Sequence, residues 1–204
     1  MVTDMNTKRT YTMTTRAEAA EATRLRILGA TVDLASSRLL TEIGLDAIAE
    51  AAGVSVQTVL RRFGTRAALI EAAMDYAREA VAEERRTPVG DVRTAVRTIV
   101  EHYERRGDTV LLMIAQEGSD EQLGRLTRNG RVMHRAWVEE VFAPQLAGRA
   151  NADELVDLLV VATDVYTWKL LRRDRRLSRI ATEQRMLHLL GALLDAAPGS
   201  SERQ

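Results

Sequence analysis

The stretch Gly44–Leu69, GLDAIAEAAGVSVQTVLRRFGTRAAL, decides the fold of this chain. It divides into two short apolar-periodic segments, residues 45–52 and 56–63, on either side of a tight turn at residues 53–55. Two short helices joined by a glycine-bearing turn are typical of a helix-turn-helix. The stretch therefore predicts a closely crossed helix pair.

Local signals predict how the two helices meet. Gly53 can adopt the left-handed conformation in which the first helix ends, and Ser55 can cap the second helix by accepting a hydrogen bond from one of its free amides. Val59 and Phe63 share one face of the second helix and are expected to be buried. The apolar stripe of the first helix is Leu45, Ile48, Ala49 and Ala52.

Polar side chains occupy the rest of the second helix. Gln57, Thr58, Arg61 and Arg62 point away from the apolar face, and such groups suit base edges and phosphates. An ordinary helical hairpin with a solvated polar face is the alternative. The next helix opens at Thr65 and would offer a phosphate free amides and the positive end of a helix dipole.

At these residues the chain resembles the TetR family of one-component transcriptional repressors. The resemblance covers roughly residues 22–82 and rests on Ile48-Ala49, Ala52-Gly53-Val54-Ser55, Thr58-Val59, Phe63 and Leu69. It implies that the helix from Val56 enters the major groove of an operator in double-stranded DNA, and that the next helix begins at the phosphate backbone. The residues expected to contact DNA are Ser55, Val56, Gln57, Thr58, Arg61, Arg62, Thr65 and Arg66.

Five positions depart from the family's pattern, one of them Ala67, which replaces a common acidic residue. Leu60 stands where many members place a tyrosine that touches a phosphate, and Gly44 stands where a serine or threonine often caps the preceding helix. Arg62 replaces a frequent histidine and Arg66 the usual lysine, so both positions keep a cation. Leu60 and Gly44 leave a second interpretation open, in which the chain is a helical small-molecule-binding or protein-interaction module without sequence-specific DNA binding.

The charge of the chain is balanced overall but not locally. The 204 residues include 29 basic and 29 acidic ones, whereas the window from Gly53 to Arg66 carries three arginines and no acidic residue. A local patch of this kind can attract phosphates. There are no cysteines, and we find neither a signal peptide nor a run of about 20 apolar residues that a membrane span requires. A cytoplasmic protein is expected.

Helical periodicity over the rest of the chain predicts an all-α protein with an N-terminal three-helix helix-turn-helix DNA-binding domain and a C-terminal helical ligand-binding and dimerisation domain. The expected segments are a flexible N-terminal arm at 1–20, the DNA-binding domain with its connecting helix at 21–86, the second domain at 87–198 and a disordered tail at 199–204. The arm either reaches a phosphate or minor groove beside the recognition helix, or is a terminus without such a role. The clearest boundary is Thr87-Pro88-Val89-Gly90.

Besides the helix-turn-helix and the helix that opens at Thr65, six further helical segments are expected. They are a bracing helix over about 22–37 with the stripe Leu25, Leu28, Val32 and Ala35, a stripe over 92–103, a short buried helix over 110–115, a long helix over 123–141, a helix capped by Asn151 and running towards Arg172, and a last helix over 180–194. In the resembled family the last two long helices form a four-helix bundle with a second subunit. The resemblance therefore implies a homodimer through these helices, whereas the alternative is that both are interior helices.

Aromatic and methionine side chains in the second domain are candidates for an effector site, since such residues line apolar ligand pockets. They are Tyr103, Met113, Met133, His134, Trp137, Phe142, Tyr166 and Trp168. The alternative for each is ordinary core. If they line a pocket, a small and largely apolar effector is expected.

Nothing in the sequence favours an enzyme. His102, His134 and His188 lie far apart in sequence without an i, i+4 ligand pair, and neither a glycine-rich phosphate loop nor a G-x-S-x-G motif is present. No catalytic residue, metal or cofactor is expected. The most basic run, Arg172–Arg176, is either a solvated helix end or a second nucleic-acid contact.

Overall fold

The computed structural model describes residues 4–118 and 121–196, with side chains from residue 17 onward. In this part of the chain all regular structure is helical, which confirms the all-α prediction. The chain divides into two compact units, Met1–Ala80 and Val81–Gln204. The sequence placed the division at residue 86, after the connecting helix rather than within it. The tail predicted at 199–204 lies outside the described residues.

The first unit consists of three helices and most of a fourth. They are α1 (Asp4–Ala35), a 3-10 turn (Leu40–Glu42), α2 (Leu45–Ala52), α3 (Val56–Phe63) and α4 (Arg66–Glu84). Helix α1 packs on α2, and α2 contacts α3. The helix predicted from about residue 22 begins at Asp4, so the backbone of 4–20, expected to form an arm, continues α1.

The buried face of α1 differs from the predicted stripe. Leu25 is exposed, whereas Ile27, Leu28, Thr31 and Ala35 are buried. These four positions also follow helical spacing. The Thr31 hydroxyl donates to the Ile27 carbonyl at 2.8 Å, which satisfies its polar group in the core. Leu28 and Ala35 of the predicted stripe are buried and Val32 is half-buried, so the prediction is wrong only at Leu25, and it missed Thr31 because only apolar residues were considered.

The predicted junction of α2 and α3 is confirmed. Gly53 ends α2 with φ +65°, in the left-handed region. The Ser55 hydroxyl accepts a hydrogen bond from the Thr58 amide at 3.2 Å and so caps α3. Val59 is buried and Phe63 half-buried, and these two side chains fix which face of α3 is turned to the core.

The second unit is a bundle of helices around one apolar core. Its helices are α5 (Val92–Ala115), α6 (Glu121–Val141), α7 (Ala143–Leu146), α8 (Ala152–Thr163), α9 (Val165–Lys169) followed by a π-helical turn (Leu170–Asp174), and α10 (Arg179–Asp195). Helix α5 packs against α6, α9 and α10, and α8 packs against α6 and α10. The core holds the largest buried side chains, including Trp168 and Phe142.

Gly107 does not separate two helices, although the sequence predicted a separate short helix over 110–115. Helix α5 runs through it to Ala115, so the expected separate helix over 110–115 is the last part of α5 and is only half-buried. Gly107 is buried against the indole ring of Trp168. Its small size therefore serves close packing, which cannot be distinguished from a helix break in the sequence.

The predicted helix from Asn151 to Arg172 is broken, and its cap is wrong. Asn151 makes no capping hydrogen bond, because its backbone (φ −103°, ψ 30°) is not extended, and its buried side-chain oxygen finds no partner among the described residues. The helix ends at Thr163, and Asp164, with extended backbone, caps α9 by accepting from the Tyr166 amide at 2.8 Å.

Two arginines of the basic run after α9, Arg172 and Arg173, form ion pairs within the second unit. Arg172 binds Glu104 through Nε at 2.8 Å and a second nitrogen at 3.1 Å, and Arg173 binds Asp108 in the same two-pronged manner. The Arg173 guanidinium also lies 4.5 Å from the centre of the Trp168 ring. These two arginines hold the π-helical turn to α5.

Candidate functional site

The exposed face of α3 carries three of the eight residues predicted to contact DNA. Gln57, Arg61 and Arg62 are exposed, and neither arginine forms an ion pair with another described residue. Leu60 is 40% exposed and lies on the same stripe, three residues after Gln57 and one before Arg61. The stripe therefore presents an amide, an apolar side chain and a guanidinium, which are the groups that read base edges.

Three other predicted residues surround the amino end of α3. Ser55 is exposed, and Val56 and Thr58 are half-buried. The Ser55 and Thr58 hydroxyl oxygens lie 2.9 Å apart and share a hydrogen bond. This hydrogen-bonded pair fixes the first turn of α3, and with it the direction in which the exposed side chains of α3 point.

At the start of α4 the two predicted residues differ in placement. The exposed Thr65 hydroxyl accepts from the Ala68 amide at 3.1 Å and caps α4. Arg66 is half-buried, and its guanidinium donates to the carbonyls of Ile43 (3.0 Å) and Leu40. Arg66 thus ties the start of α4 to the turn before α2, a use of its charge that the sequence did not indicate.

In the second unit, five of the eight predicted effector residues, called the aromatic group, make ring contacts in two separate sets. Tyr103 and Trp168 have ring centres 5.9 Å apart. His134 stacks on Trp137 at 5.8 Å, and Phe142 meets the edge of Trp137 at 6.4 Å. The remaining three do not join this group by any ring contact. Met113 and Met133 are half-buried, and Tyr166 is 54% exposed on α9.

Residues 27–73 match the family described as bacterial regulatory proteins, tetR family. Residues 27–73 thus form a DNA-binding region of the TetR type. The match contains α2, α3 and the start of α4, and it identifies this segment as one found in bacterial regulatory proteins. No curated protein matches the sequence.

Solved structures share the fold of this chain at low sequence identity. A tetR-family transcriptional regulator from Streptomyces coelicolor has a TM-score of 0.65 at 22% identity, over 85% of this chain and 80% of that one. A transcriptional regulator from Rhodococcus sp. Rha1 has a TM-score of 0.61 at 19% identity, over 86% of this chain and 99% of that one. Among the described helices, none is both long and apolar enough to cross a membrane.

A charged residue that the sequence did not indicate lies beside part of the aromatic group. Arg85 directly follows α4 and is only 7% exposed. One of its terminal nitrogens lies 3.5 Å from His134 Nδ1, and its guanidinium carbon lies 5.6 Å from the centre of the Tyr103 ring. The Trp137 indole donates to the Arg85 carbonyl at 2.9 Å. Nothing in the sequence distinguishes Arg85 from its neighbour Arg86, which is exposed.

Burial and the Arg85 charge keep two nearby imidazoles neutral. They lower the pKa of His102 to about 3, against an opposing hydrogen bond to Glu84, and lower that of His134 to about 4. In its neutral form His102 donates from Nδ1 to Glu84 Oε2 at 3.2 Å. Hydrogen bonds from Arg106 and His102 outweigh burial and lower the pKa of Glu84 to about 2. The second unit thus encloses an arginine among neutral rings.

Proposed function

We propose that this chain is a repressor that binds a palindromic operator as a homodimer in the cytoplasm, and that a small, largely apolar effector releases it from DNA. The observation that carries the DNA-binding part is the exposed stripe of α3. It combines Gln57, Leu60 and Arg61 on a helix whose start is fixed by the Ser55 cap and whose opposite face is held by buried Val59.

Different residues of the first unit have different proposed roles. Gln57 and Arg61 read base edges in the major groove, and the exposed Leu60 side chain can contact a thymine methyl group. Arg62, Thr58 and Thr65 contact phosphates, which position the protein without selecting a sequence. Ser55 and Val56 set the start of α3, and Arg66 positions the start of α4 through the Ile43 and Leu40 carbonyls.

Exposed apolar side chains on the last helices support the homodimer. They occur on α8, α9, the π-helical turn and α10, and comprise Leu158, Val161, Tyr166, Leu170, Ile180 and Leu189. A surface of this kind is typical of protein interfaces. In a twofold dimer the same surface is used by both subunits, and the two α3 helices can then meet half-sites about one helical turn of DNA apart.

Binding to the promoter region next to the chain's own gene tests the proposal. We expect a complex that persists in competition with excess random duplex and that protects two symmetric half-sites in a footprint, because base contacts add to the phosphate contacts. A complex that forms equally on any duplex and is lost at moderate salt would contradict this function and favour a helical module without sequence-specific DNA binding.

A further inference from the structure

Arg85 is a buried cation without a matching anion. Among the described residues it forms no ion pair, and its buried Nε atom has no hydrogen-bond partner. The 3.5 Å separation from His134 Nδ1 is at the long limit of a hydrogen bond. Removing a charge from water is costly unless it is paired, so an arginine in this position requires an explanation.

The two carboxylates that act electrostatically on Arg85 are committed to other partners. Glu84 binds Arg106 through both oxygens, at 2.7 and 3.0 Å, and also accepts the hydrogen bond from His102. Asp164 caps α9 by accepting from the Tyr166 amide at 2.8 Å. They attract the Arg85 charge from a distance, but neither supplies the direct hydrogen bonds that a guanidinium can make.

The surroundings hold the Arg85 backbone in place, whereas its guanidinium N–H groups make few hydrogen bonds. The Trp137 indole is bonded to the Arg85 carbonyl, which fixes the backbone. The Arg85 guanidinium carbon lies 5.6 Å from the centre of the Tyr103 ring, and the Tyr103 hydroxyl donates to the Thr163 carbonyl at 3.2 Å. A guanidinium has five N–H donors in a planar fork that fits the two oxygens of a carboxylate. The site therefore offers an anion a fixed fork beside aromatic rings.

We propose that Arg85 binds the carboxylate of a small organic acid, whose apolar remainder lies against the Tyr103, His134 and Trp137 group. This inference rests on the proposed function, since it names the chemistry of the effector that the second unit takes. A monoanion fits better than a phosphate dianion, because the other nearby guanidinium, that of Arg106, is already paired with Glu84.

Matched pairs of acid and amide test the carboxylate requirement on the full chain without DNA. The probes are benzoate with benzamide, phenylacetate with phenylacetamide, and hexanoate with hexanamide, measured by calorimetry and by Trp fluorescence up to about 10 mM. We expect at least one acid to bind about tenfold or more tightly than its amide, the effect of one charge-assisted hydrogen-bond pair. Absence of any such preference overturns the proposal.

Variants of two adjacent arginines locate the preference. We expect Arg85→Met to abolish it, and to melt at the same or a higher temperature than the wild type because an unpaired buried charge is removed. Arg86→Met should keep the preference, since Arg86 is exposed. A preference that survives in folded Arg85→Met overturns the proposal. Should Arg85→Met fail to fold, Arg85→Lys is measured instead, because lysine keeps the charge but lacks the planar pair of N–H donors. Acid binding that is unchanged in Arg85→Lys overturns the proposal as well.

Operator binding is measured separately, so the two proposals fail in different ways. If the wild-type chain shows no preference for acids over amides but binds the operator, only the carboxylate site is rejected. An acid that binds through Arg85 in a chain without operator binding rejects only the proposed repressor. An acid that binds through Arg85 without releasing the operator leaves the site in place and rejects relief of repression by this ligand class.

Discussion

Gly107 lies in direct contact with the ring of Trp168. A Cβ atom at Gly107 would lie 2.5 Å from Trp168 Cζ3 and 2.7 Å from Cη2. The ring is not free to yield, because its indole nitrogen donates to Glu104 at 3.0 Å and the Arg173 guanidinium covers its face. The approach of α9 to α5 therefore depends on the missing side chain.

The first prediction concerns this contact. We expect Gly107→Ala to lower the free energy of unfolding by about 1–3 kcal/mol, because overpacking exceeds the gain in helix propensity. Gly130→Ala in α6 is the control, since a Cβ there meets nothing within 4 Å, and it should stabilise by about 0.5–1 kcal/mol. Urea unfolding followed by circular dichroism measures both. Equal stabilisation by the two substitutions would show that Trp168 can move aside.

The second prediction concerns base reading by α3. We expect Gln57→Ala to weaken binding to the operator by about 1–3 kcal/mol and to leave binding to random duplex unchanged, because its amide is assigned to a base edge. Competition binding at one fixed salt concentration measures the ratio of the two affinities. An unchanged ratio would remove Gln57 from base reading.

The third prediction concerns the phosphate contact next to it. We expect Arg62→Ala to weaken operator and random duplex alike, and to reduce the slope of log affinity against log salt by about 1 for each subunit bound. Titrations at several salt concentrations give the slope. A loss confined to the operator would instead assign Arg62 to base reading.

The fourth prediction concerns the dimer surface. Val161 on α8 is 63% exposed, and we expect Val161→Lys to raise the dimer dissociation constant about tenfold or more, because a charge would be buried in the interface. Val132→Lys is the control, since Val132 is 69% exposed but lies on α6. Sedimentation equilibrium measures both. A Val161→Lys protein that dimerises like the wild type would place the interface elsewhere.

The fifth prediction concerns acid stability. The pKa values of His102 and His134 are lowered from 6.5 to about 3 and about 4, so below about pH 6.5 the unfolded chain binds protons that the folded chain does not. The free energy of unfolding should therefore fall as the pH falls from 6.5 towards 4. Glu84, lowered from 4.5 to about 2, adds a further loss below about pH 4.5.

Single substitutions show which histidine causes the loss of stability between pH 6.5 and 5. We expect the melting temperature of His134→Gln to depend less on pH than that of the wild type, since one of the two buried imidazoles is removed. His188→Gln, at an exposed position of α10, is the matched substitution for comparison. An unaltered pH dependence in His134→Gln would mean that this imidazole is protonated in the folded chain as readily as in the unfolded one.

Local signals predicted the first unit well because each one acts within a few residues. The Gly53 turn, the Ser55 cap and the burial of Val59 depend on neighbours in the chain, so sequence alone determines them. Arg66 could not be predicted, since its acceptors at Leu40 and Ile43 lie more than twenty residues away. The effector residues were chosen by type, and type does not separate Tyr103 in the aromatic group from the exposed Tyr166.

The second unit was harder to predict for the same reason. Gly107 and Asn151 each carry a strong local signal, for a break and for a cap, but in both cases tertiary packing sets the outcome. Arg85 carries no signal at all, because an arginine beside another arginine is expected at a solvated helix end. Its burial depends on Tyr103, His134 and Trp137, which approach it only in the folded chain.

The inward position of Arg66 changes the electrostatics of DNA binding. Three positive charges lie between Gly53 and Arg66 in the sequence, but only Arg61 and Arg62 are fully exposed. Fewer counterions would then be displaced from DNA than the local composition implies. Under the proposed function, the affinity for an operator would then depend more strongly on the base contacts proposed for Gln57 and Arg61.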